Sequence, residues 1–292
     1  MKLFDKFFLQ KASFTESDLP VITLLYDRLP IVDEVRLKKV LSEIEPSPQL
    51  KPQVSIEKDF NDGGVLLAEA SFGNHLVEII GIQAPVPKDV IERCILPSHW
   101  AADIKELMQS HRGNVVLCYA GSDPDPVEQY LALYKVAAGL RDDNVVGVLN
   151  EAAWSCHPAP IIEKLISPDL IQVCRDSPPL IFWTGFLIIE TDEGFWFFTK
   201  GYHLFGLREL VMFSEQPEGV QKVIEIFNEL FYYFFFEKPE VQTGDVLGLN
   251  ENQFFEFHEP AEGNPLPESA TGYFLIQSVD PEAIDLEEFE ED

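Results

Sequence analysis

Residues 185–213 read GFLIIETDEGFWFFTKGYHLFGLRELVMF, three apolar runs separated by two polar interruptions. The first interruption, Thr191-Asp192-Glu193-Gly194, is a turn signal, and the run FWFFTKG after it carries aromatic and β-branched residues suited to a strand. The second interruption is a ligand loop or a turn. FWFFTKG and LRELVMF both alternate with period two, so Tyr202 to Gly206 must connect two strands, with Gly201 and Gly206 free to take positive φ. The stretch from Leu180, LIFWTGFLIIE, supplies the first strand of an antiparallel meander.

Alternation places Glu209 on the same face as Leu207, Val211 and Phe213. An unpaired carboxylate on a core face costs roughly 3 to 5 kcal/mol. A cation is therefore expected beside it, either Lys200 across the connection or the neighbouring Arg208. Glu209 reads as a buried, paired structural residue first and a functional one second.

Upstream of the meander, PVITLLYD (20–27) has the pattern of a strand and VDEVRLKKVLSEI (32–44) repeats Val35, Leu37, Val40, Leu41 and Ile44 at helical spacing. QVSIEKD, GVLLAEASF and HLVEIIGIQ follow as short strands, with Asp62-Gly63-Gly64 and Gly73-Asn74 as hairpin signals. Helical material surrounds APVPKDVIERCILPSHW, and NVVLCYA (114–120) is apolar throughout, as in a strand covered on both faces. DPDPVEQYLALYKVAAGL (123–140) is the clearest helix: Asp125 and Pro126 supply an N-cap and a first-turn proline. VVGVLN is a further strand and HPAPIIEKLIS a short helix.

Downstream, Pro217 opens EGVQKVIEIFNELFYYFFFE, whose end is aromatic on every side. Its charges Lys222, Glu225 and Glu229 argue against a membrane span, so it is expected in a core or an interface. NQFFEFHE and GYFLIQSV add two strands, and no fixed-period repeat occurs. The class is α+β: mixed or antiparallel sheets with packed helices, in one or two α/β-sandwich lobes. The expected division is 1–175, 176–280 and a disordered acidic tail over 281–292.

Several of these segments in order resemble a bacterial family catalogued as domain of unknown function 4261. The residues that carry the resemblance are Pro85 and Pro87, Trp100, NVVLCYAG with DPVEQYLALYKVAAGL, VVGVL, and above all FFTKGYHLFGLREL with the later TGDVLG. It spans roughly 80–255, and more weakly the first 80 residues. Two places depart from the family pattern: Tyr202 stands where relatives carry methionine, and a histidine-rich stretch is reduced to Ser110-His111-Arg112-Gly113. The resemblance implies a fold and little chemistry, since the family has no established activity.

Composition narrows the function classes. The 292 residues hold 21 Lys and Arg against 50 Asp and Glu, a formal net charge of −29. No basic residue follows Lys238, so about half of the excess lies in the last fifth of the chain. Such a surface repels phosphate backbones and anionic lipid heads, which argues against nucleic-acid or membrane binding and leaves a basic protein partner open. Cys94, Cys118, Cys156 and Cys174 are widely spaced in or beside apolar runs, the pattern of reduced, buried thiols. MKLFDKFFLQKASF lacks the apolar length and cleavage site of a secretory signal, so a cytoplasmic protein, monomer or homodimer, is expected.

No reaction is named by the residues. The six histidines are dispersed and Cys156-His157, being adjacent, splay apart, so neither metal nor cofactor is expected. Neither a GxSxG elbow nor a phosphate-cradling glycine motif occurs. Asp123 and Asp125 suit helix capping better than calcium ligation. The leading expectation is a non-enzymatic interaction module, immunity-like or adaptor. The alternative is a small-ligand binder or a hydrolase with a site around His111, Lys200 and Glu209, with Gly201, Gly206 and Arg208 as further binding candidates.

Overall fold

The computed structural model describes residues 19–28, 30, 32–44, 51–59, 64–216, 219–250 and 252–280. The expected turn at 62–63, Pro217 as a helix opener and the tail 281–292 lie outside them. The protein is α+β, with two sheets that divide into compact units Met1–Trp183 and Thr184–Asp292.

The first unit is built on a seven-stranded sheet of order β2-β3-β4-β5-β1-β6-β7. Its strands are β1 (Val21–Tyr26), β2 (Gln53–Lys58), β3 (Val65–Phe72), β4 (His75–Ile82), β5 (Gly113–Tyr119), β6 (Val145–Asn150) and β7 (Ser155–Pro158). Every pairing is antiparallel. The central strands are apolar on both faces because helices cover both. Helix α1 (Glu34–Ile44) begins at Asp33, whose Oδ1 accepts from the Val35 amide at 2.8 Å. Beyond it, the chain winds through Lys88–Val90 into a π-helix, Ile91–Ile95, and then α2 (Ala102–Gln109).

Alternation along β1 sends Tyr26 toward one layer and Leu25 toward the other. Tyr26 Oη donates to the Leu140 carbonyl at the end of α3 (Pro126–Leu140). Leu25 joins Val90, Cys94, Ile95, Met108 and Cys156 in the opposite core. Each such fully buried aliphatic side chain contributes about 1.5 to 3 kcal/mol. Asp125 caps α3 as its sequence requires, accepting from the Val127 amide at 2.9 Å. Helices α4 (Ile161–Leu165) and α5 (Pro168–Asp176) pack against α3, which leaves it enclosed.

Leu180–Trp183 forms a helical turn, α6, rather than the start of a strand. Trp183 stacks on Tyr130 with centroids 5.0 Å apart, and its carbonyl accepts from Asn150 Nδ2 at 3.1 Å. These contacts hold residues 176–183 in the first unit, so the division falls after Trp183 and not at the expected 175.

The second unit carries a six-stranded sheet of order β11-β12-β13-β10-β9-β8. Its strands are β8 (Gly185–Thr191), β9 (Gly194–Lys200), β10 (Glu209–Ser214), β11 (Val246–Asn250), β12 (Gln253–His258) and β13 (Tyr273–Val279). The meander β8-β9-β10 is antiparallel, while β13 joins β10 in parallel. Helix α7 (Val220–Glu237) lies on this sheet: Phe227 meets Phe186, and Phe234 meets Phe257. One face of α7 is buried, and Phe236 on another is 48% exposed, so its aromatic end is not enclosed all round.

Candidate functional site

The connection between β9 and β10 is a 3-10 turn, Tyr202–Phe205, bounded by Gly201 at φ 100° and Gly206 at φ 74°. With both glycines left-handed, the successive amides of Gly201, Tyr202 and His203 line one concave surface. The Glu209 carboxylate fills it, accepting from these amides at 2.9, 3.3 and 3.4 Å. Thr199 Oγ1 donates to the same carboxylate at 2.7 Å and accepts from the Leu210 amide at 2.8 Å. The cation-capable partner is His203, whose Nδ1 lies 2.9 Å from Glu209 Oε1. Glu209 has no exposed surface, so its charge is held by donors within its own hairpin.

Arg208, one of the two cations expected for Glu209, is engaged elsewhere. Its guanidinium grips both oxygens of Glu259 at 2.7 and 2.6 Å, donates to the Tyr273 carbonyl, and lies over the Phe274 ring at 3.9 Å. That fork holds the Glu259 carboxyl below the usual carboxylate range, chiefly by hydrogen bonding. Lys200 is buried and its Nζ donates to the Glu268 carbonyl at 2.7 Å. Thr199 faces the carboxylate, so alternation turns Lys200 to the other side of β9, as it turns Arg208 away from Glu209, whereas the short connection brings His203 back over the carboxylate.

Three buried polar atoms of this cluster have no hydrogen-bond partner among the described residues: His203 Nε2, Arg208 Nε and Tyr273 Oη. Burial and the nearby Glu209 charge push the Tyr273 hydroxyl up. Tyr202 is raised for the same two reasons, and its hydroxyl donates to the Phe227 carbonyl of α7 at 3.0 Å.

His111 belongs to the first unit, while Lys200, Gly201, Gly206, Arg208 and Glu209 belong to the second. Both nitrogens of His111 are occupied: Nε2 accepts from the Val86 amide at 2.8 Å and Nδ1 donates to the Met108 carbonyl at 2.7 Å. Burial lowers its pKa. The imidazole thus ties the start of β5 to the segment after β4.

A second histidine, His157, is expected to splay away from the adjacent Cys156 and so carries no site in the sequence. His157 on β7 is 4% exposed, and neither ring nitrogen has a hydrogen-bond partner among the described residues. Trp100 and Phe182 stand edge-on to its ring, with centroids 5.9 and 5.3 Å away. Burial, with His99 as a lesser cause, pushes its pKa down to about 4. Cys156 beside it points the other way, its Sγ 3.4 Å from Met108 Sδ. Among the described residues no group of three or more His, Cys, Asp or Glu is placed to hold a metal ion.

His203 also escaped the sequence reading. A spacing of six would leave it about 20 Å from Glu209 along a strand and on another face of a helix, and only the 3-10 turn brings the two together. Comparison of the chain with protein-family models, curated proteins and solved structures found no match.

Proposed function

We propose that the protein is a non-enzymatic interaction module that captures a basic protein partner, in the manner of an immunity protein or adaptor. The observation that carries this reading is the charge of the second unit, where residues 184–292 hold 24 carboxylates against four basic residues. One of the four, Arg208, is committed to Glu259, and another, Lys200, is buried. A field of one sign over so small a unit raises the local concentration of a cationic partner and speeds its encounter. No helix among the described residues is long and apolar enough to cross a membrane. A cytoplasmic setting fits the four buried free thiols, and the resemblance to the family of unknown function is kept as part of this proposal.

The test is to isolate complexes of the full chain from native extract at low ionic strength and to reconstitute each with purified components. A basic protein that rebinds stoichiometrically, with affinity falling steeply in salt and lost when exposed carboxylates of residues 184–280 are reversed in charge, supports the reading. If no reconstituted complex depends on those carboxylates, the proposal fails.

A second reading, a small-ligand binder, is favoured by the unpartnered His203 Nε2 beside Glu209. The experiment is to follow the His203 ring by NMR during a fragment screen. Saturable shifts of Nε2 that vanish in His203→Gln support it, and an unresponsive ring removes it.

A further inference from the structure

The register of the first sheet gathers three strand ends at one edge. Tyr26 pairs with Gly113 and Ile82 pairs with Asn114. Asp27 and Arg28, just after β1, therefore lie beside Arg112, just before β5, and Gln83, just after β4. These four residues line a pocket of about 280 Å³.

The backbone there is anchored. The Asp27 amide donates to the Asn144 carbonyl at 2.9 Å, that of Arg112 to Tyr26 at 2.7 Å, and that of Gln83 to Gly64 at 3.2 Å. Asn114 Nδ2 donates to the Ala84 carbonyl at 2.7 Å, and the His111 ring clamps Val86. His111 is thus a positioning residue, fixing the Gln83 side of the pocket against the Arg112 side.

Charge sets this place apart. The chain has seven arginines among 50 carboxylates. Arg93, Arg141, Arg175 and Arg208 each pair with a glutamate, and Arg36 donates to the Arg141 carbonyl. Arg112 meets a carboxylate only through Nε, 3.5 Å from Asp27 Oδ1, and its side chain is 81% exposed. Arg28 has no ion pair among the described residues. In so acidic a chain, two guanidiniums facing a single carboxylate in one pocket are the reverse of what the average field favours.

The geometry points to a binding site for a small 2-amino or 2-hydroxy acid. The guanidinium of Arg28 and the two terminal nitrogens of Arg112 take the carboxylate, for which planar, paired donors are suited. Asp27 and the Gln83 carbonyl accept from the adjacent ammonium or hydroxyl group. Asp27 also disfavours a dianion, which separates this site from one for phosphate. The inference is independent of the interaction proposed for the second unit.

Calorimetric titration of the full chain with a panel of L-amino acids, glycolate, L-lactate and inorganic phosphate tests it. Saturable binding of an amino or hydroxy acid is expected, weakened about tenfold or more in Arg28→Ala and in Arg112→Ala. Both substitutions lie at the surface, and unchanged thermal melts establish that the fold is kept. Asp27→Asn is expected to weaken an amino acid more than a hydroxy acid. No saturable binding, phosphate binding tighter than every organic acid, or affinity indifferent to both arginines overturns the assignment.

Discussion

His203 Nδ1 lies 2.9 Å from Glu209 Oε1, with the two side chains 6% and 0% exposed. Thr199 Oγ1 receives the Leu210 amide, so its own proton goes to the carboxylate, and the remaining contacts of Glu209 are backbone N–H donors. A group surrounded by donors is an acceptor. The proton between the two side chains therefore sits on His203 Nδ1, which orients the ring and turns Nε2 into the interior.

Removing either member is expected to show the pair as a structural unit. Glu209→Gln places an amide NH₂ among N–H donors and should cost roughly 3 to 5 kcal/mol. His203→Leu should cost less, because the backbone donors still satisfy the carboxylate. Urea melts of both singles and the double should give a coupling above about 1 kcal/mol, as for residues in direct contact. Strictly additive losses would falsify the pairing.

Two glycines with positive φ should respond very differently to alanine. At Gly206 nothing lies within 4 Å of an added Cβ, so Gly206→Ala should cost only the left-handed backbone term, about 1 kcal/mol. At Gly194, φ is 147° and a Cβ would stand 2.6 Å from the Ser214 carbonyl oxygen. Gly194→Ala should therefore lose more than about 3 kcal/mol or fail to fold, since the end of β10 would have to part from β9. Equal melting temperatures for the two variants would contradict the hairpin geometry.

The periodic parts of the fold were legible because the chain states them locally. The β8-β9-β10 alternation, the Asp125 cap and the left-handed Gly201 and Gly206 need no distant partner to be inferred. What could not be read depends on contacts far apart in sequence. LIFW looks like strand until Trp183 meets Tyr130, 53 residues upstream. The short strands Ser155–Pro158 and Val246–Asn250 exist because a sheet edge is there to receive them. Proximity in sequence points to Lys200 or Arg208 as the partner of Glu209, yet Arg208 is drawn 51 residues along the chain to Glu259. Likewise, no local pattern joins Arg28, Gln83 and Arg112, and only strand register does.

The four thiols should be inert in the folded protein. All are free and buried, and burial pushes Cys94 and Cys118 up to about 12 and raises Cys156 and Cys174 as well. The reactive thiolate is then scarce near neutral pH, on the order of one part in 10⁴ or less for Cys94 and Cys118. A colorimetric thiol reagent should label four cysteines rapidly in denaturant and essentially none natively over the same interval. Fast native labelling of Cys94 or Cys118 would contradict their placement.

Buried His157 should make the first unit sensitive to mild acid. Its folded pKa, about 4, lies below the ordinary value of 6.5, so between the two the unfolded chain binds more protons than the folded one. Stability is therefore full above pH 6.5, falls as pH drops through the window, and levels off below about 4. The loss attributable to this ring is about 3 kcal/mol, since each pKa unit corresponds to roughly 1.4 kcal/mol. His111 adds to the loss in the same direction, its pKa also being lowered by burial. The measurement is urea unfolding at pH 7.5 and pH 5 for wild type and His157→Leu, in which the carboxylates common to both cancel. Wild type should lose more stability than the variant over that interval. An identical pH dependence in the two proteins would place His157 in water, with its ring no longer enclosed by Trp100 and Phe182.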